Sequence, residues 1–201
     1  MKILGVTQRV ASAPGTGEKR DCLAHDWRAF FSALGVRWLA LPNHANVAVD
    51  LAGATHLDGI VFTGGDDIGV YPERDAAEFA LLAWCRKTGR PALGVCRGLQ
   101  IMHHWFGGRL KAVSPDIHVA KRHGVAMRSG TGREVNSYHR FSPDFAGLKS
   151  DFPLRVVGTC AADGSVEAAA GEGMMGVMWH PEREAVPDTA DVALFTECFA
   201  L

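Results

Sequence analysis

The chain has 201 residues, 47% of them hydrophobic and 21% charged, a composition ordinary for a globular protein with length enough for one sizeable core. A formal net charge of −1 excludes general electrostatic attraction to nucleic acid or to an anionic membrane, so any phosphate-bearing ligand has to be held by local groups. The five cysteines (Cys22, Cys85, Cys96, Cys160 and Cys198) are odd in number and scattered, with no Cys-x-x-Cys pair and no histidine at zinc spacing, which argues against both disulfides and a structural metal. The N-terminus opens directly into an apolar strand, and nowhere do 18 apolar residues run together. A cytoplasmic protein without a leader or membrane segment is therefore expected.

In chain order, the pattern predicts a strand near residues 3–8, a helix near 18–34, strands near 36–41 and 59–62, a helix near 75–88, a strand at 92–95 and a helix at 97–106. This alternation predicts an α/β fold with a doubly wound, mostly parallel central sheet flanked by helices. Past Gly108 the texture changes. Residues 109–127, 133–138, 153–158, 165–169 and 175–179 read as shorter, partly antiparallel strands, followed by a helix from about 188 to 200. No repeat, low-complexity segment or linker divides the chain, and one domain over 1–201 is expected.

One cysteine stands apart. Cys96 falls where the buried run Ala92–Val95 must turn into a helix, with Gly94 and Gly98 as the small neighbours such a turn needs. A helix N-terminus beneath a thiol favours the thiolate, and the arrangement is that of the Gly-x-Ser-x-Gly elbow of hydrolases with sulfur in place of oxygen. A free cysteine is equally often a packing residue, so the motif needs a base. Gly176-Val177-Met178-Trp179-His180-Pro181-Glu182 supplies one: a second apolar run delivers His180 at its end, with Glu182 two residues on to orient the imidazole. His103, His104, His118, His123 and His139 are competing candidates, but no carboxylate follows His103 or His104 at a comparable position. Gly64-Gly65-Asp66-Asp67 is either a simple turn or a loop whose Gly65 N–H, with that of Arg97, stabilises an oxyanion.

Together, Val95-Cys96-Arg97-Gly98-Leu99-Gln100, His180-Pro181-Glu182, Phe62-Thr63-Gly64-Gly65-Asp66-Asp67-Ile68 and Glu134-Val135-Asn136-Ser137-Tyr138-His139 resemble the motifs of the class I glutamine amidotransferase domain. The resemblance is to its free-standing branch, the γ-glutamyl hydrolases related to γ-glutamyl-γ-aminobutyrate hydrolase. It implies a Cys96–His180–Glu182 triad, an oxyanion hole at Gly65 and Arg97, and glutamyl recognition by Gln100, Asn136, Ser137 and Tyr138. No cofactor or metal is implied, and a homodimer is left open.

The segment Gln8-Arg9-Val10, the Arg20-Asp21 pair ahead of Trp27 and the short length are more similar to a subgroup of capsular or lipopolysaccharide phosphoramidate synthesis. Its substrate is a γ-glutamyl amide of cytidine diphosphoramidate, so the implied partner is a nucleotide-linked small molecule, with Arg9, Arg20 and Arg97 as candidates for the diphosphate. The alternatives are a γ-glutamyl-γ-aminobutyrate or other γ-glutamyl amine hydrolase, a glutaminase subunit feeding ammonia to a separate synthetase, and a non-catalytic binding protein.

Overall fold

The computed structural model describes all 201 residues. In chain order the elements are β1 (Ile3–Thr7), β2 (Arg9–Ser12), β3 (Lys19–Cys22), α1 (Asp26–Leu34), β4 (Arg37–Leu41), α2 (Ala45–Ala54), β5 (Gly59–Phe62), α3 (Pro72–Thr88), β6 (Ala92–Val95) and α4 (Arg97–Trp105). There follow β7 (Arg109–Ala112), α5 (Pro115–His118), β8 (Val119–Met127), β9 (Gly132–Tyr138), β10 (Phe141–Asp144), β11 (Arg155–Cys160), β12 (Val166–Gly171), β13 (Met174–Val177) and α6 (Thr189–Phe199).

Nine strands form one sheet in the order β4-β1-β5-β6-β13-β12-β11-β8-β9. The five from β4 to β13 are parallel; from β12 onward each strand is antiparallel to its neighbour. The chain starts inside the parallel part, at β1 beside the edge strand β4, and winds outward in both directions. Each face of the sheet carries its own core. Trp27, Phe30 and Phe31 of α1 and Phe195 and Phe199 of α6 cover Leu4, Val6, Val61, Leu93 and Val95 on one face. On the other, Ala48 and Ala52 of α2, Leu81 and Leu82 of α3 and Leu99 and Met102 of α4 cover Ile60, Phe62 and Ala92. Central strands covered on both faces have no polar side to alternate, which is why Gly59–Phe62 and Ala92–Val95 are apolar and buried throughout.

The helices carry their own end signals. Pro72 opens α3, Glu73 and Asp75 occupy its first turn, Arg86 and Lys87 its last, and Gly89 closes it in the left-handed conformation. Asp188 caps α6 by accepting from the Ala190 and Asp191 N–H groups at 2.8 and 3.4 Å.

The structure corrects the sequence reading in four places. Residues 18–34 are not one helix: β3 pairs with β2 as a hairpin, and only Asp26–Leu34 is helical. Of the eight strand residues of the hairpin only Val10 is buried, so its charges have no buried side to set a period. Between β4 and β5 lies α2, made largely of Ala and Val around two buried alanines. The stretch 109–127 is divided by Pro115 into β7, the single turn α5 and β8. The edge strand β10 pairs with β7 in a separate ribbon. No helix is long and apolar enough to cross a membrane.

Candidate active site

Three parallel strand ends build the site. After β6 the chain reverses through Cys96, whose φ of 53° and ψ of −106° place a non-glycine residue in a sparsely populated region. Such a conformation costs on the order of 1–3 kcal/mol and persists only where its surroundings over-determine it. Here the Cys96 N–H donates to the Val177 carbonyl of β13 at 2.7 Å, and the Cys96 carbonyl accepts from the Leu99 and Gln100 N–H groups at 3.0 and 3.2 Å. A Cβ on Gly98 would stand 2.1 Å from the Phe62 carbonyl oxygen, so only glycine lets α4 start this close to β5. The Cys96 side chain is thereby held at the head of α4, where the first N–H groups have no partner within the helix.

His180 follows β13. Its Nδ1 donates to Glu182 Oε1 at 2.7 Å, which fixes the tautomer and leaves Nε2 for the Cys96 sulfur. Glu182 sits in the 3₁₀ turn Pro181–Arg183 and is buried with its partner. Burial works to lower the His180 pKa, but the adjacent Cys96 thiolate and the Glu182 carboxylate outweigh it and raise it to about 9. The imidazole is thus held in its protonated form beside the Cys96 sulfur. Cys85 and Cys198 show the contrast: burial raises both thiols, Cys198 to about 12, and keeps them inert.

The loop after β5 supplies the third component. Arg74, buried on α3, donates from Nη2 to the Thr63 and Gly64 carbonyls at 2.8 and 3.1 Å, turning the loop's carbonyls toward itself and away from the sulfur. Its Nε pairs with Glu78 at 3.1 Å. Glu78 and Asp75 in turn grip the Arg97 guanidinium, and Thr7 Oγ1 donates to Glu78 at 2.8 Å. One buried, charge-balanced cluster therefore ties the loop to the elbow. At Gly65, φ is 153° and a Cβ would lie 2.1 Å from Arg74 Nη1, so the position is closed to other residues. Gly65 and Cys96 share a cavity of about 280 Å³, walled also by Asp67, Gln100, Tyr138 and Arg140.

The other expected site residues divide. Gln100 faces this cavity while donating from Nε2 to the Phe141 carbonyl at 2.9 Å. Tyr138 lies edge-on to His180, with ring centroids 5.7 Å apart, and stacks beneath Arg183. Asn136, expected at the substrate, instead clamps His180 from behind: Nδ2 donates to its carbonyl at 2.8 Å, and Oδ1 accepts from its N–H at 2.9 Å. The remaining Nδ2 proton goes to Glu184, so the amide is fully committed. Ser137 is likewise turned inward, donating to the His118 carbonyl at 2.8 Å.

Arg97 cannot reach a diphosphate, because its side chain is buried against Asp75 and Glu78. Arg20 also departs from expectation, being spent on an exposed pair with Glu18 of the hairpin. Arg9 does stand near the site, beside Gly65 and 3.8 Å from Asp66. His103 is buried against the Asp144 carbonyl and His104 stacks on Phe79, both away from the sulfur. His118, His123 and His139 gather around Glu167 beside the cavity, a cluster of metal-ligand types whose scattered positions gave no spacing signal.

Sequence reasoning missed Arg74, Asp75, Glu78 and the bracing role of Asn136. The first three carry one weak signal: charges within the first two turns of a helix that packs on the sheet.

Comparison with known proteins agrees with this architecture. The sequence pattern of the Peptidase C26 family matches residues 2–182. The gamma-glutamyl-CDP-amidate hydrolase of Campylobacter jejuni is 32% identical over 193 residues, covering 90% of each chain. The glutamine-hydrolysing GMP synthase of Thermomicrobium roseum is 30% identical over 154 residues, covering 69% of this chain and 26% of that one. Among solved structures, a glutamine amidotransferase from Thermotoga maritima superposes with a TM-score of 0.67 at 14% identity, covering 99% of this chain and 82% of that one, a likeness of fold. The chain belongs to the Peptidase C26 family of class I glutamine amidotransferase-like proteins.

Proposed function

We propose that this protein hydrolyses a γ-glutamyl amide through a Cys96–His180–Glu182 triad. The observation carrying the proposal is the strained Cys96 at a helix N-terminus, beside a histidine already locked to a carboxylate. The Cys96 thiolate attacks the γ-carbonyl carbon and forms a C–S bond. The carbonyl oxygen takes up the negative charge, which the Gly65 and Arg97 N–H groups stabilise. Collapse of this intermediate breaks the C–N bond as protonated His180 gives its Nε2 proton to the departing nitrogen. The now neutral His180 then takes a proton from water, whose oxygen attacks the thioester. Glutamate leaves and the sulfur regains its charge. Glu182 keeps the imidazole in the required tautomer throughout.

For the substrate we propose N5-(cytidine 5′-diphosphoramidyl)-L-glutamine, cleaved to glutamate and cytidine diphosphoramidate in the cytoplasm. Support comes from similarity over nine-tenths of the Campylobacter jejuni hydrolase and from Arg9, the one arginine of the N-terminal hairpin placed beside the oxyanion loop. The GMP synthase relative favours a second reading, a glutaminase that passes ammonia to a separate synthetase.

The test is glutamate release from the CDP-amidate conjugate, γ-glutamyl-γ-aminobutyrate and glutamine, with CDP as competitor. Preference for the conjugate, with inhibition by CDP, is expected. Preference for the aliphatic amide without CDP inhibition overturns the substrate assignment. Glutamine turnover that appears only with a synthetase partner supports the second reading.

A further inference from the structure

Beside the cavity, whose wall includes His139, the antiparallel part of the sheet buries three imidazoles around one carboxylate. His118 ends α5, His123 lies on β8, His139 follows β9 and Glu167 lies in β12; Glu167 is fully buried and the histidines are at most 8% exposed. Each ring spends one nitrogen on an outward acceptor. His118 Nε2 meets Asp163 Oδ2 at 2.9 Å, His123 Nδ1 the Ile117 carbonyl at 3.2 Å, and His139 Nδ1 the Phe141 carbonyl at 3.1 Å. Carbonyls and carboxylates only accept, so these outer nitrogens carry the hydrogens, and in a neutral ring the inner nitrogen presents a lone pair.

The inner atoms converge. His118 Nδ1, His123 Nε2 and His139 Nε2 lie 3.4, 3.2 and 3.3 Å from Glu167 Oε1. Yet none of them makes a hydrogen bond, and both Glu167 oxygens are unpartnered as well. Three lone pairs and a carboxylate facing one another in a dry interior repel unless positive charge lies among them. Protonating two rings balances Glu167 and Asp163 but leaves the lone pair of the third facing the carboxylate, and protonating all three gives three positive charges against two. A divalent ion with neutral rings balances those two carboxylates.

We infer that His118, His139 and Glu167, with His123 beside them, form a structural site for a divalent transition metal, zinc above all. The distances agree with the chemistry. Nitrogen and oxygen donors about 2.0–2.2 Å from a tetrahedral zinc stand roughly 3.3–3.5 Å apart, close to the spacing from Glu167 to each ring. The ligand atoms of His118, His139 and Glu167 lie within 4.8 Å of one another, and His123 Nε2 approaches the same Glu167 oxygen at 3.2 Å. The outward bonds of the rings, one to a carboxylate and two to carbonyls, are the supports that metal-bound histidines use to fix tautomer and orientation.

The ion would anchor the segment 137–141 from beneath. The Phe141 carbonyl that accepts from His139 also accepts from Gln100, and Tyr138 and Arg140 on either side of His139 wall the reaction cavity.

The test is metal analysis of the untagged, full-length protein purified without chelator, followed by thermal melting after chelation and after zinc return. About one equivalent of metal per chain, a lower Tm on its removal and recovery with zinc are expected. Cobalt exchanged into the protein should show the intense visible bands of a tetrahedral site. Cys96→Ala must keep the ion; its loss there would place the metal at the reactive sulfur and overturn the assignment. Glu167→Gln, which keeps size and shape, should lose it. A wild-type protein free of metal, with a Tm indifferent to both chelator and zinc, overturns the proposal in favour of a protonated imidazole cluster, as does full metal content in Glu167→Gln.

Discussion

The parallel and antiparallel parts of the sheet contribute to the site in different ways. In the parallel part the strands are plain: β5, β6 and β13 carry no charged or hydrogen-bonding side chain, and the chemistry sits in the residues just past their ends, Thr63–Gly65, Cys96 and His180. In the antiparallel part the polar groups lie within the strands, with His123 on β8, Asn136 on β9 and Glu167 on β12, all buried. One part places the proposed reacting atoms by backbone geometry. The other holds them still from behind. Removing a proposed reacting side chain in the first should therefore cost reaction rate with little cost in stability, and substitutions in the second should cost both.

Cys96→Ala is the severest case for the parallel part. It should lower kcat by roughly 10⁴–10⁶-fold, in glutamate-release assays, while the melting temperature stays near that of the wild type. A collapse of the fold would show that the elbow is a stability element and break the distinction.

Glu182→Gln should cost roughly 10³–10⁴-fold in kcat. It should also change the dependence of stability on pH. The His180 pKa is raised in the folded state to about 9, so its contribution is full below the unfolded value of about 6.5 and is lost as pH rises through 9. Melting curves between about pH 6 and 10 should show that loss in the wild type and a flatter profile in the variant.

Gly65→Ala should lower kcat by about 10²–10³-fold through loss of the proposed oxyanion donor and, because its Cβ meets the buried Arg74, should also lower the melting temperature. Asn136→Ala tests the antiparallel part. Losing both backbone contacts to His180 should destabilise by about 2–3 kcal/mol and reduce kcat by roughly 10–100-fold, read by denaturant titration and initial rates. If kcat fell with stability unchanged, Asn136 would belong with the reacting groups and the division would fail. Arg20→Ala sets the floor: an exposed ion pair of this kind should change stability by less than about 0.5 kcal/mol and leave KM unchanged.

Legibility in the sequence follows the same division. Ala92–Val95 and Gly59–Phe62 announce themselves as doubly buried strands, and Cys96, His180 and Glu182 stand out because each lies within a few residues of an apolar run. The Arg74–Glu78–Arg97 cluster is not legible, because its members pair across two helices and look like surface charges in sequence. For Asn136 the sequence indicates the right neighbourhood but not the right partner, since position on a strand does not disclose which neighbour a side chain serves. Helix α2 escapes notice because its buried face is made of alanines, which leave little amphipathic contrast. Arg20 is hard to place for the same reason as the hairpin that carries it, whose charged strands bury almost nothing.

Strand β13 joins the two parts, pairing with β6 on one side and β12 on the other. Val177 accepts from the Cys96 N–H, and the next residue, Met178, donates to the Glu167 carbonyl. The spacing of sulfur and imidazole is thus written into pairing register, which shifts only in whole-residue steps, and owes little to the outer loops. The outer loops are consequently free to lengthen, shorten or exchange during divergence without disturbing that spacing.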